Sequence, residues 1–172
     1  ALPAGKRMLR PMIVGRILQS LGVRPGERVL EVGTGSGYLT ACLLRLGARV
    51  RSLELHEPIA AQARENLATL GPAAPVEVLT ADAMDLTEQS AYDAIVLTAS
   101  LPVYQPLFEQ ALRPGGRGTG AGGARGRREP GGVNRVRRAT AREARRPRQS
   151  APSGTEYRAP NTAGRLPASP DR

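Results

Sequence analysis

The sequence predicts an α/β fold, a parallel sheet with flanking helices, followed by a tail that cannot build a core. Three features predict it. Short apolar runs suited to buried strands alternate with longer segments whose apolar residues recur at helical spacing. Glycine and proline stand where the period changes. Beyond Arg117 the large hydrophobes thin out to Val133, Val136, Tyr157 and Leu166, while Arg, Gly, Ala and Pro dominate.

In chain order, Met12 to Leu21 carries Ile13, Ile17, Leu18 and Leu21 and predicts a helix lying on the sheet. Arg28-Val-Leu-Glu-Val-Gly33 is a short apolar run closed by glycine, the pattern of a buried parallel strand. Tyr38 to Leu46 follows as a helix, with Leu39, Leu43, Leu44 and Leu46 near helical spacing and Gly47 as its stop. Ala48 to Leu55 alternates like a strand. Glu57 to Leu70 reads as a helix with Pro58 in its first turn and Ile59, Ala63, Leu67 and Leu70 on one face. Val76–Leu79 and Asp93–Leu97 are the third and fourth strands, and Val103–Leu112 is a last helix closed by Pro114-Gly115-Gly116. Such alternation implies right-handed crossovers, and ligands of such sheets bind beyond the carboxyl ends of the strands.

Composition narrows the function classes. The 172 residues make one domain of ordinary size. No run of about 18 apolar residues occurs, so no transmembrane helix and no membrane partner is expected. The opening residues show no charged segment followed by an apolar run and a small-residue cleavage site, so no secretory leader is expected. A single cysteine, Cys42, and a single histidine, His56, speak against a disulfide framework, a metal centre and a Ser-His-Asp relay, and the expected compartment is cytoplasmic. Cys42 reads as a small hydrophobe on a helix face, and His56 as an exposed residue of the loop before Pro58. The net charge of +10 misleads as an average: residues 1–116 carry 11 basic and 11 acidic side chains, whereas residues 117–172 carry 14 and 4. The chain therefore divides into a neutral segment, 1–116, and a basic tail, 117–172.

Three strand ends carry candidate ligand groups. At the first, Glu31-Val-Gly33-Thr34-Gly35-Ser-Gly37 places glycines at alternate positions, where the backbone turns tightly and a ligand approaches without Cβ interference. A dinucleotide fingerprint wants G-x-G-x-x-G, yet residue 38 is Tyr and an acid, Glu31, precedes the loop. A carboxylate there repels a pyrophosphate but accepts from an ammonium. That favours a nucleoside bearing an amino acid, such as S-adenosylmethionine, over NAD. At the second strand end, Glu54 lies 17 residues beyond Gly37 and suits the two hydroxyls of a ribose. At the third, Asp82 suits an adenine amino group, with Ala81 and Ala83 packing the ring. Asp85 reads as a helix cap or surface acid. Thr98, ending the fourth strand, is placed to touch a ligand or to cap that strand.

Val29-Leu-Glu-Val-Gly-Thr-Gly-Ser-Gly-Tyr-Leu-Thr40 resembles the first motif of class I S-adenosylmethionine-dependent methyltransferases, and among them the protein-L-isoaspartate O-methyltransferase family. Ser52-Leu-Glu54, Ala81-Asp82-Ala83, Tyr92-Asp-Ala-Ile-Val-Leu-Thr-Ala99 and Leu112-Arg-Pro-Gly-Gly-Arg117 extend the likeness, which runs from about Leu2 to Arg117. The resemblance implies a Rossmann-like class I methyltransferase fold over 1–116 with S-adenosyl-L-methionine as cofactor. Glu31, Gly33, Thr34, Gly35 and Gly37 would hold its methionine part, Glu54 its ribose, Asp82 and Ala83 its adenine, with Thr98 nearby. The implied partner is a protein or peptide carrying isoaspartate, methylated on its carboxylate in the repair of damaged proteins. The resemblance also implies further residues ahead of Ala1. The family has a serine, assigned to catalysis or substrate binding, two residues before the proline matching Pro11; here Leu9 takes its place. No catalytic residue is assigned, and a small-molecule or RNA acceptor is the alternative. A carboxylate acceptor, with a reference pKa of about 4, is already an anion near neutral pH, so the transfer needs positioning rather than a general base.

The tail has three readings. Four large hydrophobes among its 56 residues cannot offset an ordering cost of roughly 1–2 kcal/mol per residue, so disorder is expected. It is an Arg-rich segment that binds RNA or another polyanion through phosphates, or a solvated linker, or the product of a shifted reading frame. The abrupt change at Arg117 and the GC-rich codons of Arg, Gly, Ala and Pro favour the last. A shifted frame implies an incomplete sheet of about four strands with an exposed edge. Nucleic acid is expected as a partner only through this tail.

Overall fold

The computed structural model describes residues 8–71, 74–99, 105–120 and 134–137. Helix α1 (Pro11–Leu21) leads into β1 (Arg28–Val32), α2 (Tyr38–Arg45), β2 (Arg49–Glu54), α3 (Glu57–Ala68), β3 (Val76–Thr80), a 3-10 turn over Ala83–Asp85, β4 (Tyr92–Leu97), α4 (Pro106–Ala111), β5 (Leu112–Gly120) and β6 (Asn134–Arg137). The strands form one sheet in the order β3-β2-β1-β4-β5-β6. The first five run parallel, and β6 lies antiparallel to β5.

Local chemistry accounts for the element ends. Pro11 opens α1, where its missing N–H costs no hydrogen bond. Gly22 closes it in a left-handed conformation, and its N–H donates to the Leu18 carbonyl at 2.9 Å. Apolar side chains then sort by face. Val14, Ile17 and Leu21 of α1 and Leu39 and Leu43 of α2 pack on Val29, Val50, Ala94 and Val96. On the other face, Phe108 and Ala111 of α4 cover Leu30, Val32, Leu53 and Ile95. Because β1 is buried along both faces, it reads as a nearly continuous apolar run with Glu31 as its exception.

The expectation of about four strands is corrected. Strand β5 joins β4 in parallel and β6 extends the sheet further. Pro114-Gly115-Gly116, read as a stop, lies inside β5. Tyr92 pairs with Leu112 and Ala94 with Arg117, so residues 113–116 bulge opposite Asp93. The physical reason is that a ladder needs only backbone donors and acceptors, which Gly118, Thr119 and Gly120 supply without large side chains. One side chain anchors the strand. The Arg117 guanidinium donates to both carboxylate oxygens of Glu27, at 2.6 and 3.1 Å, and to the carbonyls of Leu21 and, at 2.7 Å, Gly22.

The start expected for the last helix, Val103, falls outside the described residues, as do 121–133 and 138–172 with the disorder and polyanion contacts expected there. Among the described residues no helix is long and apolar enough to cross a membrane.

Candidate functional site

The strand order reverses between β1 and β4, the place where the connections after neighbouring strands diverge and leave a crevice. A cavity of about 630 Å³ opens there, lined by the carboxyl ends of β1 to β4 and by the segments that start α1, α2 and α3. It falls within the size of small-molecule sites, roughly 300–1,000 Å³.

After β1 the chain turns through Gly33, Thr34, Gly35 and Gly37 into α2. A Cβ on Gly33 would stand 2.7 Å from Thr98 Oγ1 and 2.8 Å from the Ala99 nitrogen, and its φ is +96°. Only glycine lets the loop meet the end of β4 so closely. Thr98 seals the contact by sharing its one hydroxyl proton between the carbonyls of Gly33, at 2.6 Å, and Val32, at 2.9 Å, while still lining the cavity. Gly37 has a different task. Its Cβ would meet Leu67 of α3 at 3.1 Å, and Gly37 is not among the residues lining the cavity, so it admits a helix rather than a ligand.

Two carboxylates face this loop. Glu54, buried at the end of β2, accepts from the Gly35 N–H at 3.1 Å and the His56 N–H at 3.2 Å. A carboxylate has about four acceptor positions, so two remain for other donors. Glu31 is fully buried in β1 and lines the cavity. Its Oε2 accepts from the Thr40 hydroxyl at 2.5 Å and the Ser52 hydroxyl at 2.8 Å. The buried Thr34 hydroxyl lies 2.6 Å from that of Ser52. Among the described residues, the buried Oε1 of Glu31 has no hydrogen-bond partner. Burial pushes this carboxyl up to about 7; the two hydroxyls pull against that and the charge of Glu54 adds to it.

Asp82, exposed beyond β3, accepts from the Met84 N–H at 2.9 Å through Oδ1 and so caps the 3-10 turn. Asp85 is the exposed last residue of that turn and does not cap it. Both Asp82 and the buried Ala83 line the cavity. The reading of His56 as an exposed loop residue is corrected: it is half-buried at the N-cap of α3, against the cavity. Cys42 is half-buried on α2.

Sequence reasoning did not assign Thr40 and Ser52, which hold Glu31. For Ser52 a signal existed, since it sits on β2 directly beside Glu31 in register. For Thr40 only the turn of α2 back over β1 brings the two together. Met8, Leu9, Tyr38 and Leu55 were likewise unassigned and give the cavity much of its apolar wall. Among the described residues no group of three or more His, Cys, Asp or Glu could hold a metal ion.

This donor set tests which cofactor fits. The described lining carries three acids, Glu31, Glu54 and Asp82, and neither Lys nor Arg. Such a wall disfavours a pyrophosphate. A buried oxygen without a donor is costly, and an ammonium brought to Glu31 Oε1 would satisfy it. The residues present therefore fit a nucleoside with a cationic amino-acid end.

The same part of the chain is similar to known proteins. A family model described as Protein-L-isoaspartate(D-aspartate) O-methyltransferase (PCMT) matches residues 2–119. A protein-L-isoaspartate O-methyltransferase of Koribacter versatilis is 38% identical over 117 residues, covering 67% of this chain and 52% of the relative. Another, of Methanoculleus marisnigri, is 44% identical over 115 residues, covering 66% and 51%. A solved protein-L-isoaspartate O-methyltransferase superposes with a TM-score of 0.66 at 26% identity, over 78% of this chain and 44% of that one. A SAM-dependent O-methyltransferase of Thermotoga maritima gives 0.61 at 28% identity, over 67% and 45%. The chain spans about half the length of the curated relatives it matches. With the match covering the whole glycine-loop half of the sheet, the chain belongs to the protein-L-isoaspartate(D-aspartate) O-methyltransferase family.

Proposed function

We propose that the segment 1–116 holds S-adenosylmethionine and that the protein transfers its methyl group to the carboxylate of isoaspartyl residues in damaged proteins. The observation that carries this reading is the pair of buried carboxylates at the glycine loop, one of them with an oxygen lacking a donor. When bound, the cofactor supplies an electrophilic methyl group on a sulfonium. Glu31 takes the ammonium of its amino-acid end, and Glu54 uses its remaining acceptor positions for the ribose hydroxyls. Asp82 and Ala83 border the base. Gly33 and Thr98 keep the loop against the end of β4, Thr34 and Gly35 tie it to Ser52 and Glu54 of β2, and Gly37 keeps α3 against the loop. Met8, Leu9 and Tyr38 wall the cavity with apolar surface and limit water around the reacting groups. Fixing two reactants in line can contribute roughly 7–11 kcal/mol in favourable systems, so no general base is required.

Calorimetric titration with S-adenosylhomocysteine tests the cofactor site. The wild-type chain should bind, and Glu54→Ala should weaken binding by tenfold or more, as expected when hydrogen bonds to a charged group, about 1.5–3 kcal/mol each, are lost. An unchanged affinity in Glu54→Ala would remove Glu54 from the site. Transfer of labelled methyl to a peptide containing isoaspartate, against the same peptide with aspartate, tests the acceptor. Leu9, half-buried on the cavity wall, favours a second reading with a small-molecule acceptor. Cofactor binding without peptide methylation would select that reading.

A further inference from the structure

We infer that Thr40 and Ser52 are positioning residues that pin one oxygen of Glu31, so that this carboxyl exchanges a proton for the ammonium group of the bound ligand. The inference rests on the cofactor reading above and adds a proton to it.

The hydroxyl chain has a direction. Ser52 has a single hydroxyl proton and gives it to Glu31 Oε2, so the proton between Thr34 and Ser52 must come from Thr34. Thr40 gives its proton to the same oxygen from the opposite side. With two donors already on Oε2, the proton of a neutral carboxyl belongs on Oε1. That is the buried oxygen without a partner, in a residue on the cavity wall.

The surroundings favour the neutral form while no cation is bound. Glu54 faces Glu31 from β2 and adds negative charge. Val96 of β4 stands beside Glu31 in register, and Val14 of α1 lines the same cavity; both are apolar. From α2 only the Thr40 hydroxyl reaches it. Asp82 after β3 and His56 at the head of α3 line the cavity, and no Lys or Arg among the described lining residues offsets the acids. Burial accordingly lifts the carboxyl to about 7. An arriving ammonium supplies both a positive charge and a donor, but Oε1 can accept from it fully only after losing its own proton. The exchange balances as carboxylic acid plus ammonium going to a carboxylate–ammonium pair plus one proton released to solvent.

The sign follows from linkage. Below about pH 7 the proton must be displaced, so affinity should fall by up to about tenfold per pH unit as the pH is lowered. Above it, affinity should level off.

The experiment is calorimetric titration of the full chain at pH 6 and pH 8, in pairs of buffers that differ in ionisation enthalpy. Two probes are used: S-adenosylhomocysteine, and 5′-methylthioadenosine, which keeps the nucleoside and the sulfur but has no ammonium. S-adenosylhomocysteine should release close to one proton at pH 6 and almost none at pH 8, and methylthioadenosine none at either. His56→Gln should leave that proton count in place, which separates the imidazole from the carboxyl. Ser52→Ala and, independently, the near-isosteric Thr40→Val each remove a donor that favours the ionised form, so each should move the midpoint of the pH dependence upward by about one unit. A merely structural role for these hydroxyls would weaken binding equally at every pH.

S-adenosylhomocysteine binding at pH 6 without proton release overturns the inference and leaves the cofactor reading standing. An unmoved midpoint in both variants also overturns it. Absence of S-adenosylhomocysteine binding by the folded wild type, at either pH, removes the cofactor reading and the inference together. The two-probe comparison needs no variant, so a failure of Ser52→Ala to fold does not shelter the idea.

Discussion

The β1–β2 half of the sheet and its β5 edge are held in different ways. Strands β1 and β2 place Val29, Leu30, Val32, Val50 and Leu53 in two apolar layers, and their buried Glu31, Ser52 and Glu54 side chains each take part in hydrogen bonds. Strand β5 buries Leu112 in the core at its start; beyond it the strand places glycines and one buried threonine beside β4, where its position depends on the backbone ladder and on the Arg117 clamp. Among the described residues, each region contains one buried side-chain oxygen without a hydrogen-bond partner, Oε1 of Glu31 and Oγ1 of Thr119. Glu31 lines a cavity, whereas Thr119 is not among its lining residues. The difference teaches that an unpaired polar atom points to a ligand only where there is room for one. Away from that cavity, the unpaired hydroxyl of Thr119 counts only as a loss of stability.

The sharpest way to break this comparison is Glu31→Gln, which should show the largest effect. Burial holds the folded carboxyl at about 7, above its ordinary value of 4.5. Between those pH values the folded protein keeps a proton that the unfolded chain has lost, so stability falls as pH rises through that window and is level above it. Removing the titration should stabilise the protein at pH 8 by on the order of 3 kcal/mol, with no gain at pH 4. Urea unfolding at the two pH values measures it, and an equal gain at both would show that ionisation is not the cause. The same variant should bind S-adenosylhomocysteine at least tenfold more weakly, so that stability and ligand affinity move in opposite directions.

Next in size is Arg117→Ala. It leaves Glu27 without its guanidinium and the Gly22 carbonyl without its donor, which should cost about 2 kcal/mol. The pH dependence identifies the cause. Burial raises the Glu27 carboxyl, but the Arg117 side chain and the Arg24 amide together bring it below 4.5. A depressed carboxyl contributes stability that is present above pH 4.5 and lost as the pH falls through the lower, folded value. That acid-side loss should be smaller in Arg117→Ala than in the wild type, as thermal melts between pH 3 and pH 5 would reveal.

The smallest effect sharpens the contrast. Thr119→Val replaces an unpaired hydroxyl with a methyl group in a strand position, and should stabilise by about 1 kcal/mol while leaving S-adenosylhomocysteine affinity unchanged. A loss of ligand affinity in this variant would mean that the β5 edge belongs to the site after all.

Much of the fold was legible because it depends on short-range patterns. The helical spacing of Ile17 and Leu21, the apolar run from Val29 to Val32 and the Pro58 start of α3 each act through the residue's own neighbours. The candidate site was legible to the same extent: glycines after β1 and acids at three strand ends are local facts. What escaped was decided by side chains meeting across the sequence. Reading Pro114-Gly115-Gly116 as a stop overlooked that a bulge can absorb these residues while the ladder continues.

The sequence by itself determined the order of the helices and of the first four strands and the glycine loop that follows β1, because backbone preferences and apolar periodicity are properties of neighbouring residues. Only the tertiary structure decided that Thr40 and Ser52 load one oxygen of Glu31 and leave the other bare, that Gly37 serves α3, and that Arg117 ties β5 to the α1–β1 connection. Those outcomes depend on distances between groups far apart in the chain, and such distances exist only once the sheet has brought its strands into register.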